Sequence, residues 1–105
     1  MSAMHDRLQK HGFLLDLIPY GKDNAVHGNV LDNVLKIDSR ARYSMIERAR
    51  RDGALICSCN DGYYRPETPE EMHIYYETAH KKAITILSTL KATRKVLIAC
   101  GVKVR

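Results

Sequence analysis

Residues 38–64 read DSRARYSMIERARRDGALICSCNDGYY, a stretch that divides into a basic helix, a glycine stop and a tight hairpin. Ser39, or Asp38 one residue earlier, carries the side-chain oxygen that an N-cap needs to accept from the unpaired N–H groups of the first turn. Gly53 ends the helix at the C′ position, where the left-handed conformation carries no penalty for glycine. Ala54 to Cys57 is short, apolar and partly β-branched, Asn60-Asp61-Gly62 makes a turn, and Tyr63-Tyr64 supplies the returning strand.

At 100° per residue, Arg40, Tyr43, Ser44, Glu47, Arg48 and Arg51 share one arc of about 140°. The opposite arc carries Ala41, Met45, Ile46 and Ala49. One face can therefore pack while the other presents guanidinium groups, a hydroxyl and a phenol, the side chains that reach guanine edges and phosphate oxygens in a major groove. The plainer alternative is a solvated helix with surplus arginine. Arg42 breaks the pattern by falling in the middle of the apolar arc, so that either its stem snorkels or the phase of the helix is shifted. A helix followed directly by a two-stranded hairpin is how a winged-helix domain ends.

The residues before this stretch supply the rest of such a domain. Gly12 opens the apolar run Phe13-Leu14-Leu15-Asp16-Leu17-Ile18, which reads as a buried first helix and is stopped by Pro19-Tyr20-Gly21. Ala25 and Val26 form a minimal strand that can join the sheet of the hairpin. Val30, Leu31, Val34 and Leu35 then fall as on one helical face, and Lys36-Ile37-Asp38 is the turn, with Ile37 its buried residue. Helix, three-residue turn and basic helix make a helix-turn-helix. Residues 1–11 are polar and read as a flexible or frayed lead-in.

After the hairpin, Thr68 with Glu71 is a capping box and Pro69 occupies the first helical position, where its missing N–H costs nothing. No proline or glycine interrupts from there to about Ala99, which gives a helix of roughly 30 residues or 45 Å. Glu67, Glu70, Glu71 and Glu77 lie at its start, whereas Lys81, Lys82, Lys91, Arg94, Lys95, Lys103 and Arg105 follow toward the other end, in the sense the helix dipole favours. Met72, Tyr76, Ala79, Ala83, Ile86, Leu90, Thr93 and Leu97 recur at alternating steps of four and three, a heptad seam. Such a seam pairs with a second copy, parallel or antiparallel, or folds back over the first helix.

The expected architecture is mainly α with a small β-hairpin: a lead-in over 1–11, a winged helix-turn-helix over 12–65, and a long C-terminal helix over 66–105 that serves as the dimerisation element. A chain of 105 residues with 45% hydrophobic and 28% charged residues is large enough for a modest core without metal or disulfide support. Its net charge of +5 favours a polyanionic partner. No run approaches the roughly 18 apolar residues of a membrane span, and no signal-peptide core is present, so the expectation is a cytoplasmic protein without a membrane partner.

Three cysteines in a reducing compartment stay thiols. Cys57 and Cys59 form a C-x-C, but His5, His11, His27, His73 and His80 are scattered without zinc-site spacing, so neither metal nor cofactor is expected. Cys57 reads as a small core residue and Cys59 as an exposed thiol near the hairpin tip. No Ser-His-Asp set, paired carboxylates or phosphate-binding glycine loop points to catalysis, and capping explains Glu70 with Glu71.

At RARRDGALICSCNDGYY (48–64) the chain resembles winged-helix proteins encoded by bacteriophages and prophages of Gram-positive bacteria. The resemblance runs from about Leu14 to Leu97 and includes LIPYGKDNAV (17–26), PETPEEM (66–72) and LKATRKVL (90–97). It implies DNA binding, as a regulator or a replication-associated factor. Carried over by position, Ser39 to Asp52 is the recognition helix and Cys57 to Tyr64 the wing. Ser39 then sits at the start of that helix, Arg40, Tyr43, Ser44 and Arg48 face the groove, and Arg51 meets phosphates. Asn60 or Arg65 reaches the adjacent backbone, while Tyr63 and Tyr64 support the hairpin. Arg42 and the short wing depart from the family pattern.

The function expected on this basis is a sequence-specific, dimeric binder of double-stranded DNA, of phage or prophage origin, that regulates transcription. The alternatives are a winged-helix inhibitor that binds a host protein, such as a defence nuclease, in the manner of an anti-CRISPR protein, and a phage replication accessory protein.

Overall fold

Asp38 rather than Ser39 caps the basic helix: its Oδ1 accepts from the Ala41 N–H at 2.8 Å, satisfying one of the donors that a helix start leaves unpaired. In the computed structural model, which describes residues 8–104, the helices are Gly12–Asp16 (α1), Gly28–Leu35 (α2), Ser39–Arg51 (α3) and Pro69–Ala99 (α4), and the strands Cys57–Cys59 (β1) and Gly62–Tyr64 (β2) pair antiparallel. A 3-10 turn, Lys22–Asn24, lies between α1 and α2. The chain is mainly α with a two-stranded hairpin and a long C-terminal helix. Residues up to Met72 and those from His73 onward form two compact units.

In the first unit the core is built from Leu14, Ile18, Leu31, Ile46, Ala49, Ala54 and Ile56. Each fully buried large aliphatic contributes roughly 1.5–3 kcal/mol, which lets so small a core hold without a disulfide. The wheel expected for α3 has the right phase. Ala41, Met45, Ile46 and Ala49 turn inward, whereas Arg40, Tyr43, Ser44, Glu47, Arg48 and Arg51 are exposed. The helix closes with Gly53 at φ 102°, its N–H donating to Arg50 O at 3.1 Å and the Ala54 N–H to Ala49 O at 2.9 Å. That double bond is a Schellman stop, and it aims the chain straight into the hairpin.

The expected apolar faces of the first two helices are narrower than their composition suggested. Phe13 is 67% exposed although Leu14 and Ile18 beside it are buried, because a helix of five residues can turn only one edge to the core. Val30 and Val34 are likewise half exposed, leaving Leu31 buried and Leu35 half-buried. The turn after α2 is left-handed at Lys36 (φ 56°), and Ile37 is half-buried rather than fully covered. The lead-in is also shorter than expected. Leu8 packs against the core and His11 Nε2 lies 2.7 Å from Asp52 Oδ2, while residues 1–7 lie outside the described residues.

Val26 joins the hairpin as anticipated, exchanging two backbone hydrogen bonds of 2.8 Å with Tyr63. Gly62 makes this approach feasible. Its φ is 128°, and a Cβ there would overlap the Val26 carbonyl, so only glycine satisfies both demands. A parallel bridge from Tyr20 to Arg65 extends the same side of β2, which makes the Pro19-Tyr20-Gly21 stop part of the sheet.

Thr68 caps α4, its Oγ1 accepting from the Glu71 N–H at 3.2 Å. Glu71 departs from the simple capping box. Its Oε1 accepts from the Glu67 N–H at 2.8 Å and its Oε2 from the Lys22 N–H at 2.9 Å, so one carboxylate ties the helix start to the turn after α1. These backbone donors hold the Glu71 carboxyl below its usual range. The helix ends in a second Schellman stop, with Gly101 at φ 81° and the Val102 N–H donating to Leu97 O at 2.9 Å. None of the residues of α4 is buried.

Candidate nucleic-acid interface

The exposed arc of α3 is positioned by what lies beneath it. Arg42, which looked like a break in the apolar arc, is only 8% exposed. Its Nη1 donates to Asp32 Oδ2 at 2.6 Å, and its guanidinium lies 5.0 Å from the Tyr43 ring centroid and 5.9 Å from that of Tyr63. The side chain therefore joins α2, α3 and the second strand of the hairpin. A guanidinium taken out of water needs both a counter-charge and ring faces to offset its desolvation. Gly28 leaves the room for it, since a Cβ there would overlap the Arg42 guanidinium. No spacing rule links Asp32 to Arg42 across two helices. The one signal in the sequence was a charge where an aliphatic residue belonged.

With the inner face fixed, Ser39, Arg40, Tyr43, Ser44 and Arg48 all face outward, and Tyr43 is 60% exposed. Arg48 Nε donates back to Ser44 O at 3.4 Å, a long bond that a phosphate or base could replace. Arg51, expected on phosphates, donates to Glu47 Oε1 at 2.6 Å on the same exposed face. Such a pair is worth about 0.3–0.5 kcal/mol, so it yields readily to a more strongly charged anion. Lys10, His11, Met45, Arg48, Arg51 and Asp52 line one depression beside the helix. Lys10 therefore adds a cation to this face, which the reading of residues 1–11 as a lead-in had missed.

The hairpin contributes less than expected. Asn60 is exposed at the turn, within reach of a neighbouring anion. Arg65 is instead held in the sheet: its Nε donates to Ile18 O at 2.8 Å, its Nη1 to the Tyr20 hydroxyl at 3.2 Å, and its guanidinium stacks 4.1 Å from the Tyr20 ring centroid. It serves as a brace between α1 and β2. Tyr64 is buried and Tyr63 packs on the core, in the supporting roles expected of them.

No family model, curated protein or solved structure matches the chain. The arrangement of side chains therefore carries the functional argument alone. Among the described residues, no group of three or more His, Cys, Asp or Glu side chains is placed to hold a metal ion, and no helix is long and apolar enough to cross a membrane. Cys57 is buried, Cys59 half-buried and Cys100 exposed, all as free thiols. Burial pushes the Cys57 thiol up, and burial together with Cys57 and Cys59 pushes the Tyr64 phenol up to about 12. Both groups thus stay protonated near neutral pH, so Cys57 is not poised as a thiolate nucleophile or ligand.

Proposed function

We propose that the protein is a sequence-specific DNA-binding regulator of transcription, acting as a dimer, with α3 as its recognition helix. The observation that carries this reading is the division of α3 into a packed face anchored by Arg42 and an outward face bearing Arg40, Tyr43, Ser44 and Arg48 together. Arginine on that face can pair bidentately with guanine, and serine and tyrosine hydroxyls add adaptable contacts. Arg51 and Lys10 at the edge of the same face supply phosphate affinity, while Asn60 at the hairpin turn supplies a backbone contact. The likeness of residues 48–64 to winged-helix proteins of phages and prophages supports the same assignment.

The test is binding of the purified protein to fragments of its own genomic neighbourhood at two salt concentrations. Sequence-preferring binding that weakens steeply with salt is the expected result, because each neutralised phosphate releases counterions. Only weak attraction without sequence preference would overturn the reading. A complex with a host protein that persists at high salt would favour the inhibitor alternative instead.

A further inference from the structure

The apolar residues of α4 lie in two adjoining strips. Placing Tyr76, Ala83, Leu90 and Leu97 at heptad position a puts Met72, Ala79, Ile86 and Thr93 at d. Beside this seam, positions b and e carry Glu70 and Glu77 at one end, Ile84 and Leu87 in the middle, and Lys91 and Arg94 at the other end. Ile84, Ile86, Leu87 and Leu90 are 50%, 58%, 58% and 51% exposed, so the middle of both strips forms one uncovered apolar surface.

We propose that this surface is covered by a second copy of the chain, paired antiparallel through α4 in a single register that sets Ala79 opposite the partner's Leu90 and Ala83 opposite the partner's Ile86. In an antiparallel pair, each a residue meets a d residue of the other helix. In this register Met72 also meets the partner's Leu97 and Tyr76 meets the partner's Thr93, so the whole seam is matched. Both alanines then face a large aliphatic side chain, the alternation of small and large that fills a helix interface. Parallel helices in register would instead set alanine against alanine twice and forfeit those dispersion contacts.

The flanking strip selects the same arrangement independently. The two-fold axis of this register passes between Ile84 and Thr85, so Ile84 and Leu87 of the two copies meet around it. The same axis brings Glu77 alongside the partner's Arg94, and Glu70 with Lys91 extends the match of opposite charge. A parallel pair would align glutamates with glutamates and the basic residues with one another, a like-charge juxtaposition that disfavours pairing.

The inference specifies the dimer that the proposed function invokes, yet it stands on α4 alone and its test contains no DNA. In a Cys59→Ser, Cys100→Ser background, the variants Ala79→Cys, Leu90→Cys and the double variant are oxidised gently, and the solution mass of each is measured before oxidation. The expected result is a mass of two chains throughout, with a disulfide-linked dimer from the double variant only. A crosslink from either single variant would establish parallel pairing and overturn the proposal. A single-chain mass, or a double variant that fails to crosslink, would overturn it equally. Both substituted positions are exposed, so the core does not depend on them. Failure of DNA binding alongside the expected crosslink would refute the regulator and leave the pairing intact.

Discussion

Arg42 shows how one charged side chain can fix the presentation of a whole surface. Replacing Asp32 with Asn leaves the buried guanidinium without its counter-charge, and the expected loss is about 3 kcal/mol of unfolding free energy, read by urea denaturation. Converting the pair together, Asp32→Leu with Arg42→Met, should recover much of that loss, since apolar residues of similar volume replace a buried pair at little cost. If the double variant is no better than the single, the pair is not what Asp32 contributes. Gly62→Ala is expected to cost about 1–3 kcal/mol through backbone strain alone, with the crowded Val26 carbonyl adding to it. Glu71 gives the fold an acid-side dependence. Its carboxyl is held low in the folded state by two backbone N–H groups, so its contribution is complete above the usual glutamate range and is lost as pH falls through the lowered value. Denaturation of wild type and Glu71→Gln should therefore differ at neutral pH and converge in acid; a gap that persists unchanged would exclude the carboxylate as its source.

At the scale of elements, the helix and strand boundaries were legible because each is marked by a residue with a stereochemical reason to be there. Asp38, Gly53, Thr68 and Pro69 punctuate the chain, and the Asn-Asp-Gly turn sets the hairpin. Local chemistry did not show which side of a short helix meets the core. Phe13, Val30 and Val34 are as apolar as their buried neighbours, and only the packing of distant segments leaves them in water. The same limit explains Arg65, whose brace to Ile18 and Tyr20 spans more than 40 residues of chain. Lys10 reached the candidate interface through a long-range pairing of His11 with Asp52 that no motif encodes. The outward arc of α3, by contrast, followed directly from helical periodicity. Arg48→Ala is expected to cost about 1–3 kcal/mol on the preferred site and to relax its sequence preference. An equal loss on every sequence would make Arg48 a phosphate contact only.

At the scale of the whole molecule, two copies joined through α4 would present two recognition helices to one duplex. Breaking the seam with Ile86→Glu and Leu90→Glu should yield a single-chain mass and weaken specific DNA binding, because the second half-site is then bound from bulk rather than at a high local concentration. Denaturation of the core should be unaffected, since neither side chain belongs to it. A variant that stays a dimer would place the interface elsewhere. The buried Cys57 offers a different kind of readout. It is sealed beneath the hairpin as an uncharged thiol, whereas Cys100 lies in the open. Alkylating reagent should mark Cys100 within the time of mixing and reach Cys57 only when the hairpin lifts from the core. The chain thus carries its own clock for opening of the wing. Pulse labelling with and without DNA would time that opening directly, residue by residue, with no fluorophore or engineered probe.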